Sequence, residues 1–186
     1  SSGLLPSDLQ SKCINPKRLI IAHPFNPVYI LPLVEIVKGK KTTNLYLNKA
    51  KKFYQKIKMK TLLVEKELPG FLSDRLQEAL WREGLNIVND GYASTKDLDE
   101  AITYGPGMRW ALMGTFLTFH LAGGETGMKH MLDQFGPALK LPWTKLKSPK
   151  LTKKLKEKII KGTKKQSNNH SIKDLSNIRD NFLIDL

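Results

Sequence analysis

Two short apolar runs set the pattern at the start of the chain. "RLIIAH" (18–23) and "LVEIVK" (33–38) each have the length of a buried strand, and Pro24, Pro27 and Pro32 forbid a helix between them. The pattern then changes period. "TTNLYLNKAKKFYQKIKM" (42–59) spaces Leu45, Ala50, Phe53 and Ile57 near helical intervals behind a threonine cap, which predicts a helix with those residues inward. "TLLVE" (61–65) reads as a third strand. Strand, helix, strand is the order of a parallel sheet covered by helices, although three strands are too few to close a core.

Beyond "ELPGF" the alternation stops and helical spacing takes over. Leu72, Leu76, Leu80 and Ile87 line one face of a predicted long helix, which Gly91 ends in "NDG". "STKDLDEAI" (94–102) opens on a serine with an acid three residues later, close to a capping box. Further helices are expected over 109–121, 125–135 and 151–161. The boundary between the two patterns falls near Pro69. This predicts an α/β portion over 1–68, a helical portion over 69–165 and a tail or docking segment over 166–186, with no internal repeat.

Composition narrows the class. The 186 residues, 40% of them hydrophobic, suffice for one ordinary domain, or for a small domain plus part of another. No apolar run approaches the roughly 20 residues that span a bilayer, and no signal peptide opens the chain. A soluble cytoplasmic protein, not a membrane protein, is the expectation. Cys13 is the single cysteine, so no internal disulfide is available and a zinc site is not expected; no metal is assigned. The net charge of +14 invites a nucleic-acid reading. Its distribution argues against one, because much of the excess lies in residues 145–165, which contain one acid and no aromatic. A solvated helix face and tail is the simpler reading, and no nucleic-acid partner is expected.

The chemistry begins with His23 at the end of one apolar run and Glu35 inside the next. An unpaired buried carboxylate is costly. If adjacent strands bring the two together, the glutamate gains a hydrogen-bonded partner and the imidazole is held in one tautomer. Such a pair suits removal of a proton from a substrate hydroxyl. The alternative is a structural histidine at a strand end and a glutamate facing solvent on an edge strand.

The run His23-Pro24-Phe25-Asn26-Pro27, followed by "LVEIV" and then "PGFLSDRL" (69–76), resembles the 3-hydroxyacyl-CoA dehydrogenase superfamily over most of residues 1–145. The resemblance implies an α/β remnant of a Rossmann domain (1–68) followed by an all-α C-terminal domain of the 6-phosphogluconate dehydrogenase C-terminal-like kind. It also implies His23 as base, Glu35 as its orienting carboxylate and Ser2 as a substrate-binding serine. The cofactor implied is NAD, with Ser2 and Asn26 as cofactor contacts; Asn26, Asp74 and Phe25 fall to the substrate. A homodimer through the helical domain is the implied assembly.

Two departures bear on the substrate. The acyl-CoA enzymes usually carry an asparagine where this chain has Asp74, which when ionised accepts hydrogen bonds but cannot donate them. Where they typically read "GAGYPMGPFEL", this chain reads "GPGMRWALMGTFL" (105–117), adding Arg109 and Trp110. An arginine fork suits a free carboxylate better than a thioester oxygen. With "EALWREGLNIVNDG" (78–91) and "FGPALKLPW" (135–143), this pattern is similar to the L-carnitine dehydrogenases. The resemblance implies a small 3-hydroxy acid bearing a trimethylammonium group, which aromatic faces favour. Trp110, Phe116, Phe119, Tyr104 and Phe25 are candidates for that cage, with core packing as the alternative for each; Arg109 has an ion-pair role as its alternative.

No GxGxxG run occurs in the 186 residues. The chain is therefore expected to be a truncated or proteolysed dehydrogenase, inactive alone, that keeps the base and much of the substrate pocket. The rival readings are an acyl-CoA or sugar-acid dehydrogenase of the same superfamily, and a non-catalytic helical dimerisation module with a basic tail.

Overall fold

In the computed structural model, residues 3–141, 143–144, 147, 150, 152–166 and 170–185 are described. By internal contacts the chain divides into two units, residues 1–79 with 171–186, and residues 80–170.

The first unit is built on three strands: β1 (Ile20–Pro24), β2 (Leu33–Lys38) and β3 (Lys60–Val64), in the order β1-β2-β3. β1 and β2 run antiparallel, with His23 opposite Glu35. β2 and β3 run parallel, with Glu35 beside Leu62. This parallel pair needs a crossover, which α2 (Asn44–Lys56) supplies. β2 is central, which explains why Val34, Glu35, Ile36 and Val37 are all buried although alternate residues of a strand face opposite sides. One face carries Ile21, Val37 and Val64, closed by Phe71 with Leu9 and Leu68 packed against them.

The start of the unit is a short helix, α1 (Pro6–Gln10). Its last residue, Gln10, is buried; Nε2 donates to Pro16 O and to Thr42 Oγ1, and Oε1 accepts from Lys41 N–H. This ties α1 to the turn after β2. Thr42 spends its hydroxyl here as well, donating to Leu19 O, so it does not cap α2. The N-cap of α2 is Thr43, so a threonine does cap the helix as expected, in the extended conformation but without a side-chain cap bond.

The inward face of α2 also differs from expectation. Leu47 is buried, with Ala50 and Tyr54 half-buried, whereas Leu45, Phe53 and Ile57 are exposed. Leu47, Ala50 and Tyr54 recur at the helical period, and this stripe, rotated from the predicted one, is the face the helix buries.

A long helix, α3 (Ser73–Asp90), follows. Leu72, Leu76 and Leu80 are exposed, and the buried residues are Leu85, Asn86 and Val88, so the expected leucine face is not the packed one. Its end is as predicted: Gly91 adopts φ +85° and Gly91 N–H donates to Ile87 O. The second unit continues through α4 (Thr95–Thr103), α5 (Pro106–Leu112), α6 (Thr115–Ala122), α7 (Met128–Phe135) and α8 (Lys153–Gln166). The single helix expected over 109–121 is broken at Met113-Gly114 into α5 and α6. The capping box of α4 is complete: Ser94 Oγ accepts from Asp97 N–H and Asp97 Oδ2 accepts from Ser94 N–H. Lys158 of the basic run in α8 donates to Val88 O in the last turns of α3.

The segment expected as a tail contains α9 (Ile172–Asp185), grouped with the first unit, where Tyr29 Oη donates to Asp180 Oδ2. No helix among the described residues is long and apolar enough to cross a membrane.

Candidate active site

The register of β1 on β2 places His23 and Glu35 opposite each other, and opposite residues of an antiparallel pair share a face. Their side chains meet: His23 Nδ1 lies 3.0 Å from Glu35 Oε2. Glu35 is 0% exposed and His23 7%. An isolated carboxylate this deep would be strongly disfavoured, but Glu35 is held on three sides. Its other oxygen, Oε1, accepts the backbone N–H groups of Leu72 and Ser73, each at 3.0 Å.

Those amides belong to the opening of α3, where helix N–H groups lack intrahelical partners and the helix dipole favours a negative charge. Glu35 thus completes the helix terminus, and the helix terminus stabilises Glu35. The turn that aims the amides inward is sharp. Gly70 has φ +73° and Phe71 φ +47°, the latter a costly conformation for a bulky residue. Phe71 is fully buried and its ring lies 5.4 Å from that of His23, so packing retains the strained backbone.

The hydrogen bonds assign the tautomer. An ionised carboxylate only accepts, so Nδ1 carries the proton toward Glu35 and Nε2 is the acceptor nitrogen, on the opposite side of the ring. A third group stands at that nitrogen: Asp74 Oδ2, on the first turn of α3, lies 3.7 Å from Nε2 with its side chain 33% exposed. An imidazole oriented in this way can take a proton at Nε2.

Of the residues read from the sequence, the structure brings together His23, Glu35 and Asp74. Asn26 is exposed on the loop after β1, and Phe25 is half-buried beside it, its N–H donating to Leu33 O. Ser2 lies outside the described residues. Arg109 and Trp110 are both exposed on α5 of the second unit. Tyr104, Trp110, Phe116 and Phe119, also of that unit, make no ring pair with one another; the ring pairs among the described residues are His23 with Phe71 and Phe53 with Tyr54. Among the described residues no group of three His, Cys, Asp or Glu side chains is placed to hold a metal ion.

Sequence reasoning missed two parts: the backbone amides of Leu72 and Ser73, and the buried Phe71 ring beside His23. Their only local signal is a glycine and a bulky residue immediately before a helix.

Comparison with known proteins adds to this geometry. Residues 1–68 match the family described as "3-hydroxyacyl-CoA dehydrogenase, NAD binding domain", and residues 70–167 match "3-hydroxyacyl-CoA dehydrogenase, C-terminal domain". The chain is 57% identical over 186 residues to an L-carnitine dehydrogenase of Oceanobacillus iheyensis, covering 100% of this chain and 61% of that protein. It is also 57% identical over 186 residues to an L-carnitine dehydrogenase of Bacillus cereus, covering 100% of this chain and 57% of that one. The chain thus spans roughly three fifths of the length of these curated relatives. Among solved structures it resembles a 5-formyl-3-hydroxy-2-methylpyridine 4-carboxylic acid 5-dehydrogenase, with TM-score 0.76 and 23% identity, over 99% of this chain and 60% of that one. A 3-hydroxyacyl-CoA dehydrogenase of Archaeoglobus fulgidus follows at TM-score 0.59 and 21% identity, over 87% and 54%. These likenesses show the fold: part of a Rossmann-like NAD-binding domain followed by a helical C-terminal domain.

Proposed function

The chain belongs to the 3-hydroxyacyl-CoA dehydrogenase family, and from that membership we propose that it carries the proton-abstracting base of an NAD-dependent 3-hydroxy acid dehydrogenase whose substrate is L-carnitine and whose product is 3-dehydrocarnitine. One observation carries the chemistry: the 3.0 Å contact of His23 Nδ1 with Glu35 Oε2, which directs the acceptor nitrogen of the imidazole away from the buried acid. The substrate rests on the identity of 57% to two L-carnitine dehydrogenases.

The chain's own residues fit the cofactor at its reactive end. His23 is the penultimate residue of β1, and Asn26, exposed in the loop that follows, is assigned to the cofactor by resemblance; no GxGxxG run, which would hold a pyrophosphate, occurs among the 186 residues. When bound, NAD⁺ would supply the hydride acceptor for the carbinol carbon, with Ser2 and Asn26 as the residues assigned to hold it by resemblance. His23 takes the hydroxyl proton at Nε2 and becomes an imidazolium. Glu35 balances that positive charge, its Oε1 being held meanwhile by two backbone N–H groups. A positioned base of this kind contributes on the order of 10² to 10⁴ in rate.

Arg109 is assigned to the substrate carboxylate and Trp110 to the pocket beside it. What supports them is chemistry: a guanidinium fork pairs with a carboxylate through two parallel hydrogen bonds. Ser2 keeps its assignment to the substrate oxygen by resemblance. A homodimer through the helical unit is proposed on the same footing.

Steady-state kinetics of the full-length protein test the substrate. Oxidation of L-carnitine with NAD⁺, and reduction of 3-dehydrocarnitine far better than of acetoacetyl-CoA, are the expected results. The reverse preference would return the chain to the acyl-CoA dehydrogenases.

A further inference from the structure

We infer that Asp74 determines the specificity of this site, its carboxylate taking the quaternary ammonium of a cationic 3-hydroxy acid at the reactive nitrogen of His23. The inference rests on the function proposed above and adds to it which side chain reads the substrate's charge.

The two carboxylates around His23 differ in every respect that matters. Glu35 is sealed from solvent, and both its oxygens are committed, one to His23 and one to two backbone amides. Asp74 is one-third exposed and lies on the other side of the ring. Its 3.7 Å approach to Nε2 is longer than a hydrogen bond, so it does not orient the imidazole as Glu35 does. A negative charge is instead stationed beside the nitrogen where a substrate hydroxyl must dock. The first turn of α3 favours that charge.

In a 3-hydroxy-4-trimethylammonio acid the cationic nitrogen is bonded to the carbon next to the carbinol carbon. A hydroxyl within hydrogen-bond reach of Nε2 therefore brings the cation into the neighbourhood of Asp74. A quaternary ammonium has no N–H and is held by charge or by aromatic faces. Coulombic attraction acts across its methyl groups without directional bonds. The same charge repels the substrate's own carboxylate, which orients the zwitterion with its cationic end at α3. A neutral thioester gains nothing from the charge of Asp74.

The test compares L-carnitine with 3-hydroxy-5,5-dimethylhexanoate, in which a tert-butyl group replaces trimethylammonium with the same shape and no charge. Wild-type full-length protein, Asp74→Asn and Asp74→Glu are assayed on both. For Asp74→Asn, the ratio of kcat/KM for L-carnitine to kcat/KM for the neutral analogue should fall on the order of tenfold or more, allowing for solvent screening at a partly exposed group, whatever change the two substrates share. Asp74→Glu should restore part of the preference for the cation. If kcat/KM falls equally for both substrates in both variants, Asp74 acts through His23 and the inference is overturned; an unchanged ratio overturns it as well. Wild-type protein that does not oxidise L-carnitine removes the proposed substrate and this inference together. Oxidation by wild type with an unaltered ratio in Asp74→Asn removes the inference alone.

Discussion

Glu35 spends its charge on three donors, and those donors define what it does. Glu35→Gln keeps the shape but offers one acceptor oxygen and an NH2 group, so a donor must face either the α3 amides or His23 Nδ1. We expect kcat to fall by roughly 10² to 10⁴, because the tautomer and the imidazolium lose their support. Stability should drop by about 1–3 kcal/mol from the buried group left unpaired. Steady-state kinetics and urea denaturation of the variant measure the two effects separately. An unchanged kcat with lowered stability would make Glu35 a ligand of the helix terminus and nothing more. The sequence pointed to this pair through residue type: a histidine at a strand end and an acid within an apolar run demand an explanation. It did not show the amides of Leu72 and Ser73, since every residue but proline carries one and only the fold chooses where it points.

The elements were legible to the extent that local chemistry sets them. β2 occupies its predicted residues, β1 and β3 lie within two residues of theirs, and the capping box of α4 and the stop at Gly91 follow from side chains a few positions apart. The helix faces were not legible. Leu45, Phe53 and Ile57 on α2, and Leu76 on α3, are as apolar as the residues that are buried, so composition could not say which stripe the sheet would cover. The α4 cap yields a prediction at this scale. Its hydrogen bonds with the Ser94 side chain and backbone hold the Asp97 carboxyl below the ordinary aspartate value. A carboxyl with a lowered folded value stabilises fully above the unfolded value of ~3.9 and loses its contribution as pH falls through the folded one. Hydrogen-exchange protection of the α4 amides should therefore decline on acidification through that window. In Asp97→Asn this pH dependence should vanish, while Ser94→Ala should cost about 1 kcal/mol at neutral pH.

At the scale of the whole molecule, the second unit shows more apolar surface than a solitary helical core needs. Phe116 on α6 is 83% exposed, and Leu117, Phe119 and Leu121 on the same helix are also exposed. A helix apolar on all sides is normally covered. A second copy of the chain is the proposed cover, and sedimentation should return a dimer. Phe116→Glu, which would place a charge on that surface, should shift the protein toward monomer in a concentration-dependent way; wild-type protein sedimenting as a monomer at all concentrations would remove the proposed assembly. Among the described residues the basic groups make local contacts: Lys158 meets a carbonyl at the end of α3, Lys96 and Lys129 pair with Glu100 and Asp133, and Arg18 and Lys49 lie over the Tyr46 ring.

By itself the sequence determined where the three strands and several of the helices lie, where some of them stop, and that His23 and Glu35 are the pair to which proton chemistry is proposed to fall. Those are properties of neighbouring side chains: prolines that exclude helix, caps that begin or end one, apolar runs of strand length. Only the tertiary structure decided that the two residues face each other, that the start of α3 closes over Glu35 and that Asp74 stands at the far nitrogen. Strand register and the direction of a helix terminus are set by hydrogen bonds between segments distant along the chain, and no local pattern of residues encodes which distant partner those bonds will find.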